Sequence, residues 1–181
     1  MFNGHGIIHP LVRTTVMAAL LHLSNASSAI GIGELAPNFE LRTIDGEVLH
    51  LNDYQGKKAV YLVFWNSWCS YCIRKAPSYN KLHEKFGDRV EIIAVNTTWS
   101  DSLEEIEQFQ QRFGAVYTIA MDDGEALTTR FEVYKVPTEF IIDINGVIRY
   151  RDGVPEYLAA HIPDWFQPYT ADMNPMLMCS K

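Results

Sequence analysis

The chain reads Ala59-Val60-Tyr61-Leu62-Val63-Phe64-Trp65 and then, after Asn66 and Ser67, Trp68-Cys69-Ser70-Tyr71-Cys72. The first run is apolar, β-branched and aromatic, which predicts a buried β-strand over about residues 59–64. Two thiols three residues apart can close a disulfide where the backbone coils, so the second run predicts the first turn of a helix. At a helix N-terminus, unpaired N–H groups and the helix dipole favour a thiolate and lower the pKa of a cysteine from about 8.5. Because the thiolate is the nucleophile of disulfide exchange, the stretch predicts redox chemistry at Cys69 and Cys72.

Length and composition fit one soluble globular domain. The chain has 181 residues, of which 48% are hydrophobic and 20% charged. Its formal net charge of −7 disfavours nucleic acid and anionic membrane surfaces as partners. The third cysteine, Cys179, stands alone, so the cysteines do not form the framework of a disulfide-rich domain.

The first 29 residues have the pattern of an export signal. Arg13 is their only basic Lys or Arg, an apolar run follows at 16–23, and Ser27-Ser28-Ala29 is a small-x-small cleavage site. The apolar run is shorter than the ~20 residues that span a bilayer. We therefore predict a signal peptide at 1–29 and a periplasmic or other extracytoplasmic location. A disordered tail and an uncleaved anchor are the alternatives, and the latter would be the protein's only link to a membrane.

Strands and helices alternate along the rest of the chain, which predicts an α/β sheet covered on both faces. Ser102 and Glu105 form a capping box that begins one helix, and Asn145-Gly146 indicates a hairpin turn. We expect a hairpin at 36–41 and 48–51, a helix from Cys69 to about 86 kinked at Pro77, a strand at 90–95, a helix at 103–113, a strand at 117–121, a short helix at 125–131, a hairpin at 140–143 and 147–150, and a last helix from Pro155 to 166. The domain then covers 30–166, and 167–181 is a flexible tail.

The residues around the cysteines resemble the thioredoxin superfamily. Its marks here are Trp-Cys-x-x-Cys after a buried strand, Pro77 five residues past Cys72, and Val136-Pro137-Thr138 before a strand. Segments 33–39, 64–69 and 138–146 are similar to periplasmic thiol-disulfide oxidoreductases of the TlpA/ResA type. The likeness covers about 33–166, with an extra βα element around 96–121. It implies a thioredoxin-like α/β fold in which helices flank a mixed central β-sheet with an N-terminal β-hairpin.

The resemblance also implies roles for individual residues. Cys69 would attack and Cys72 would resolve, with no cofactor beyond the redox-active disulfide. Pro137 would be a cis-proline facing the disulfide, and Val136 would offer backbone to the substrate. The remaining residues expected to line the site are Trp65, Trp68, Ser70, Tyr71 and Lys75.

Three positions depart from the pattern of the relatives. Tyr71 replaces the proline that relatives usually carry before the second cysteine. Lys75 stands where a glutamate is common, and Val63 stands where thioredoxins have a buried aspartate. Glu139 and Glu91 are candidates to replace the missing acid. Alternatively, Lys75 favours the thiolate directly through its charge.

Other chemistries of a CxxC pair lack the residues they need. A zinc site requires two further ligands at suitable spacing, and haem attachment requires CxxCH, whereas Ile73 follows Cys72. A peroxide-reducing enzyme would carry its cysteine in a Pro-x-x-x-Thr-x-x-Cys context, which is missing. The acidic stretch 101–107 is interpreted as a solvated helix face.

Copper binding is the alternative function that the sequence leaves open. Two thiolates bind Cu(I) well, and the tail adds four soft ligands, which are Met173, Met176, Met178 and Cys179. We nevertheless favour an oxidoreductase that reduces disulfides in extracytoplasmic proteins, and the resemblance implies cytochrome c maturation as one such role. Its partners would be a disulfide-containing protein substrate and a membrane or extracytoplasmic thiol electron donor.

Overall fold

A computed structural model describes residues 30–152 and 160–168 of the chain. The strands are β1 (Glu40–Thr43), β2 (Val48–His50), β3 (Ala59–Trp65), β4 (Val90–Asn96), β5 (Thr118–Met121), β6 (Thr138–Ile142) and β7 (Ile148–Arg151). The α-helices are α1 (Ser70–Phe86), α2 (Leu103–Phe113) and α3 (Ala126–Arg130), and Ile162–Phe166 forms a 3-10 helix. The signal peptide predicted at 1–29 lies outside the described residues, as does the tail from residue 169 onward.

All seven of these strands join one mixed sheet in the order β2-β1-β5-β4-β3-β6-β7. β3 runs parallel to β4, and β4 runs parallel to β5, whereas the other pairings are antiparallel. The expected mixed α/β sheet is therefore confirmed. The extra element contributes α2 and β5, and β5 joins the N-terminal hairpin to the parallel strands.

The strand that leads to the cysteines is buried over its whole length because both faces of the sheet are covered. Its odd positions, such as Tyr61 and Val63, face the apolar cluster that includes α1 and α2. Its even positions, such as Leu62 and Phe64, face the cluster that includes α3. Alternation along β3 thus packs the strand between two apolar layers, and the cysteines that follow it join the layer that includes α1 and α2.

The helix after the cysteines packs onto the sheet along one stripe. Cys72, Ala76 and Tyr79 are the buried residues of α1, at the spacing that returns to the same side of a helix. The helix is continuous through Pro77. Cys72 therefore lies on the same face of α1 as Ala76 and Tyr79.

Two predicted elements differ in the structure. The first hairpin strand begins at Glu40 rather than at 36. The described part of the expected last helix is a 3-10 helix at Ile162–Phe166, which has a proline in its first turn and buries Ile162 and Trp165. Residues 153–159 of that prediction lie outside the described part of the chain.

Within 30–152 and 160–168, no helix is long and apolar enough to cross a membrane.

Candidate active site

The two cysteines form a disulfide across the first turn of α1. Cys69 is the N-cap residue, and its Sγ accepts a hydrogen bond of 3.1 Å from the backbone N–H of Cys72. The Cα atoms are 5.2 Å apart, and the residues are only 6% and 3% exposed. When the pair is reduced, this N–H and the helix N-terminus favour a thiolate at Cys69. The geometry therefore suits Cys69 as nucleophile, with Cys72 behind it.

A cis-proline lies at the same edge of the sheet. The Val136–Pro137 peptide bond is cis, which confirms the expectation drawn from the resemblance. Thr138 pairs with Phe64, so Pro137 comes next to the end of β3, from which the chain continues to Cys69. Val136 is half-buried and packs against both apolar clusters. The role of these two residues in substrate binding stays a prediction.

The two tryptophans of the motif have different environments. Trp65 is 3% exposed and packs against Phe109 with ring centroids 4.3 Å apart, so it lies in the core beneath the disulfide rather than on the surface. Trp68 is 56% exposed, and its Nε1 donates a 3.0 Å hydrogen bond to the carbonyl oxygen of Trp99. Of the two tryptophans expected to line the site, only Trp68 can meet a partner protein in this conformation.

The two residues between the cysteines are exposed. Ser70 is the first residue of α1, and Tyr71 is 51% exposed. The Arg74 guanidinium lies 5.2 Å from the centroid of the Tyr71 ring, and the Lys75 ammonium lies 5.8 Å from it. Trp68 and Tyr71 thus flank the disulfide with aromatic surface.

We expect Trp68→Ala to raise KM for a protein disulfide several-fold while leaving the rate with a small disulfide unchanged. Only a protein substrate can bury the exposed indole, and large aromatic side chains dominate such contacts. Steady-state reduction of insulin and of a small aromatic disulfide measures both rates. Val116→Ala is the control, since Val116 is also exposed (55%) but precedes β5. It therefore lies where the parallel strands begin, whereas Trp68 lies where they end. An equal loss on both substrates would contradict this role.

An aspartate fixes the loop between β3 and the cysteines. Asp101 Oδ2 accepts hydrogen bonds from the N–H of Ser67 (2.7 Å) and the side-chain amides of Asn66 (3.2 Å) and Asn96 (2.6 Å). Its Oδ1 accepts a 2.7 Å hydrogen bond from Ser67 Oγ. The interpretation of 101–107 as a solvated helix face is wrong for Asp101, because this residue precedes α2 and turns inward. The one hint in the sequence is an asparagine directly after one buried strand and another at the end of the next; the structure shows both to be fully buried, so each needs an acceptor.

A buried acid on β6 contacts the helix α1 below Cys72. Glu139 on β6 is opposite Val63, the position where thioredoxins carry their aspartate. Its Oε1 lies 2.5 Å from Lys75 Nζ, and it accepts hydrogen bonds from Tyr61 Oη (2.8 Å) and Tyr79 Oη (2.7 Å). Of the two candidates named from the sequence, Glu139 is therefore the one that the fold brings beneath the site.

The other candidate, Glu91, lies at the far end of the sheet. It pairs with Lys58 at 3.0 Å and accepts a hydrogen bond from Thr118 Oγ1 at 2.8 Å. Ala59 pairs with Val90, so this cluster lies where β3 begins, six residues before the strand ends at Trp65. Glu91 is therefore a structural residue remote from the disulfide.

The two tyrosines that contact Glu139 act as hydrogen-bond donors. Burial raises the pKa of Tyr61 and of Tyr79 well above the usual 10, and the negative charge of Glu139 raises it further. Both hydroxyls therefore stay protonated at any physiological pH. They hold the carboxylate of Glu139 in place.

No metal centre is evident in the part of the chain that the structure describes. Residues 30–152 and 160–168 contain no group of three or more histidine, cysteine or acidic side chains that could hold a metal ion. The tail residues proposed as copper ligands, Met173, Met176, Met178 and Cys179, lie outside these ranges.

Comparison with known proteins agrees with this site. The family model described as AhpC/TSA matches residues 32–151. The thiol-disulfide oxidoreductase ResA of Geobacillus kaustophilus is 32% identical over 149 residues, which are 77% of this chain and 84% of that protein.

Two solved structures have the same fold. A chain assigned as the thiol:disulfide interchange protein DsbE of Chlorobium tepidum superposes with a TM-score of 0.67 and 29% identity, over 76% of this chain and 99% of that one. The exposed lipoprotein thioredoxin Etrx1 of Streptococcus pneumoniae gives 0.62 and 26%, over 71% and 99%. The expected thioredoxin-like fold is thereby confirmed.

Proposed function

We propose that this chain, which belongs to the AhpC/TSA family and is a thiol-disulfide oxidoreductase, reduces protein disulfides outside the cytoplasm. The single observation that carries the proposal is the Cys69–Cys72 disulfide at the N-terminus of α1, with the Cys72 N–H directed at Cys69 Sγ. Relatives of this chain are named as thiol-disulfide oxidoreductases. The direction of the reaction and the cellular location are the parts that need testing.

The reaction begins from the reduced pair. The Cys69 thiolate attacks one sulfur of the partner's disulfide, and the other partner sulfur leaves as a thiolate that takes a proton from water. Cys72 then loses its proton, attacks Cys69 Sγ and releases the second partner thiolate. The net result is one Cys69–Cys72 disulfide and one reduced partner, so two electrons have moved. A thiol donor outside the cytoplasm must then reduce the pair again.

Two observations support work outside the cytoplasm. Residues 1–29 carry the export pattern described above. One neighbour in structure is named as an exposed lipoprotein. A fusion of residues 1–35 to a reporter that is active only after export tests this location. The same fusion without residues 16–23 is the control. Reporter activity that does not depend on the apolar run would contradict it.

The substrate we propose is a cysteine pair in an extracytoplasmic protein, such as the CxxC of a cytochrome c awaiting haem. This rests on analogy with the family that the chain resembles rather than on a contact in this structure. Incubation of the reduced full-length chain with an oxidised CxxCH peptide, followed by separation of the two and thiol counting on the peptide alone, measures the transfer. An unrelated surface disulfide serves as the comparison.

The reduction potential of the Cys69–Cys72 pair is expected near or below about −250 mV, the range of thioredoxin-like reductants. Equilibration of the full-length chain with dithiothreitol or glutathione buffers, with Cys179 replaced by serine, measures it. A value near about −120 mV would make the protein a disulfide donor and reverse the proposed direction. Tight stoichiometric Cu(I) binding that is lost on truncation after Gln167, together with failure to form the disulfide, would favour the copper alternative.

A further inference from the structure

The exposed aromatic side chains lie beside the cysteines and the cis-proline. In the part of the chain that the structure describes, the exposed aromatic residues are Trp68, Tyr71 and Tyr134 alone, and Tyr134 is the most exposed of them at 84%. Trp68 and Tyr71 belong to the cysteine motif, whereas Tyr134 comes three residues before the cis-proline Pro137. Scattered exposed apolar residues are normal on a protein surface, but aromatic residues confined to one place indicate a surface for a partner.

Tyr134 belongs to the segment that leads from α3 to β6, which we call the proline strap and define as residues 131–137. Phe131 and Val133 are buried in the apolar cluster that includes α3, so the strap is anchored on its inner side. The residue after the strap begins β6 and pairs near the end of β3. The strap therefore ends at the edge of the sheet from which the chain continues to the cysteines.

Arg151, the last residue of β7, ties the strap to the sheet. Its guanidinium donates hydrogen bonds to the backbone carbonyl groups of Glu132, at 3.1 Å, and of Ile30, and it lies 3.5 Å from the Glu132 carboxylate. Glu132 has a φ of 52°, a left-handed conformation that residues other than glycine rarely adopt. Such a conformation persists where the surrounding structure holds it, and Arg151 supplies a hydrogen bond at this point.

Tyr134 lies between two fixed points of the strap. Arg151 holds the carbonyl group of Glu132 on one side, and Thr138 Oγ1 donates a 2.8 Å hydrogen bond to the carbonyl group of Lys135 on the other. A tyrosine on a fixed backbone loses only the freedom of two side-chain torsions when a partner binds, so the entropic cost of binding is low. Exposure and a fixed backbone together suit Tyr134 to contact a partner protein.

We propose that Tyr134 is a specificity-determining contact for the protein whose disulfide is reduced, and that Arg151 is the positioning residue that holds it ready. These roles rest on the reductase function proposed above. They add an aromatic contact on the cis-proline side of the disulfide to that of Trp68 on the cysteine side. The partner is a polypeptide with apolar surface near its disulfide, because burial against such surface stabilises an exposed aromatic ring.

Tyr134→Ala and Arg151→Met should each lower the rate constant for insulin by about five-fold relative to that for a small aromatic disulfide, because only insulin offers surface to the ring. The reduced full-length chain is mixed with either substrate in the absence of other reductants. Alkylation of its remaining thiols at successive times gives the rate at which the chain is oxidised. Tyr134→Phe keeps the ring and should retain most of the rate with insulin. Arg151→Lys keeps the charge but not the planar fork, and should fall between the parent and Arg151→Met.

The double variant of Tyr134→Ala and Arg151→Met tests whether Arg151 acts through Tyr134. If it does, the combined loss with insulin is smaller than the product of the two single losses. A combined loss equal to that product would overturn the positioning role of Arg151. An equal loss on both substrates in Tyr134→Ala would overturn the contact role of Tyr134, since a contact with a protein partner cannot slow the reaction with a small disulfide.

Arg42 and Leu35 provide matched controls. Arg42 also donates to a backbone carbonyl group, that of Gly46 at 3.2 Å, but it lies on β1, which β5 and β4 separate from β3. Leu35 is 69% exposed and pairs with Val147, just before β7, whereas Arg151 ends that strand. Arg42→Met and Leu35→Ala should keep the parental ratio of the two rate constants.

Thermal unfolding of each variant identifies any loss of fold. If Arg151→Met does not fold, Arg151→Lys takes its place in the double variant, and the exposed Tyr134 still decides through its Ala and Phe variants. Reduction of both substrates with an unchanged ratio in Tyr134→Ala would overturn this proposal alone. Failure of the parent chain to reduce either substrate would overturn the reductase function as well.

Discussion

Cys69→Ser is expected to lower disulfide reductase activity by at least 100-fold. The serine hydroxyl has no accessible anion at neutral pH, so it cannot replace the thiolate that attacks the partner's disulfide. The position of Cys69 as N-cap of α1, with its sulfur accepting the Cys72 N–H, is what makes it the nucleophile. Insulin reduction by the full-length chain, with dithiothreitol as electron donor, measures the loss. Full activity in this variant would show that the roles of the two cysteines are assigned wrongly.

Cys72→Ser tests the second step, in which Cys72 releases the product from Cys69. Cys69 can still attack, but no thiol remains to release the product, so a mixed disulfide with the substrate should accumulate. Non-reducing electrophoresis and mass spectrometry detect this species and identify the cysteine that holds it. Cys179→Ser is the control for a thiol outside the CxxC motif and should keep parental activity. A mixed disulfide through Cys179 in the Cys72→Ser protein would contradict the proposed order of attack.

Asp101→Ala is expected to lower the free energy of unfolding by about 2–4 kcal/mol and to slow disulfide reduction. The carboxylate accepts four hydrogen bonds, two of them from the fully buried Asn66 and Asn96. Each buried donor left without an acceptor costs about 1–3 kcal/mol. The same change releases Ser67, two residues before Cys69, so the position of the nucleophile is affected too. Urea unfolding of the oxidised protein and insulin reduction measure the two effects.

Glu107→Ala is the matched control, since it removes an exposed acid of the same acidic stretch, and it should stay within about 0.5 kcal/mol of the parent. Asp101→Asn keeps one acceptor oxygen and should fall between the parent and Asp101→Ala. If Asp101→Ala matched the control in stability, the network would not hold the loop in solution.

The order of elements could be read from local pattern because each signal lies within a few residues. The apolar run at 59–65 is buried over its whole length, and Ser102 caps α2 through Glu105 in both directions. The limits of elements were predicted less well. The last predicted helix was wrong in its described part, which is a 3-10 helix, because apolar residues three or four apart do not by themselves distinguish the two helix types.

The residues of the site that belong to short motifs could be predicted, whereas those brought together by packing could not. Cys69, Cys72 and the Pro137 cis bond followed from short motifs and the family they resemble. Asp101 was assigned to a solvated face, since nothing near it in sequence indicates that strand ends 5 and 35 residues away supply its donors. Contacts between residues so distant in sequence carry no local signature.

The sequence by itself determined the strand, the helix that follows it and a cysteine pair at their junction, because periodicity, capping and the spacing of two thiols are local properties. Only the tertiary structure decided which acid lies beneath that pair. β6 pairs antiparallel with β3, and this register places Glu139 opposite Val63, where α1 brings Lys75 and Tyr79 to its carboxylate. Strand register is a property of the whole sheet, fixed by the burial of both faces at once, and so it could not be obtained from any one segment.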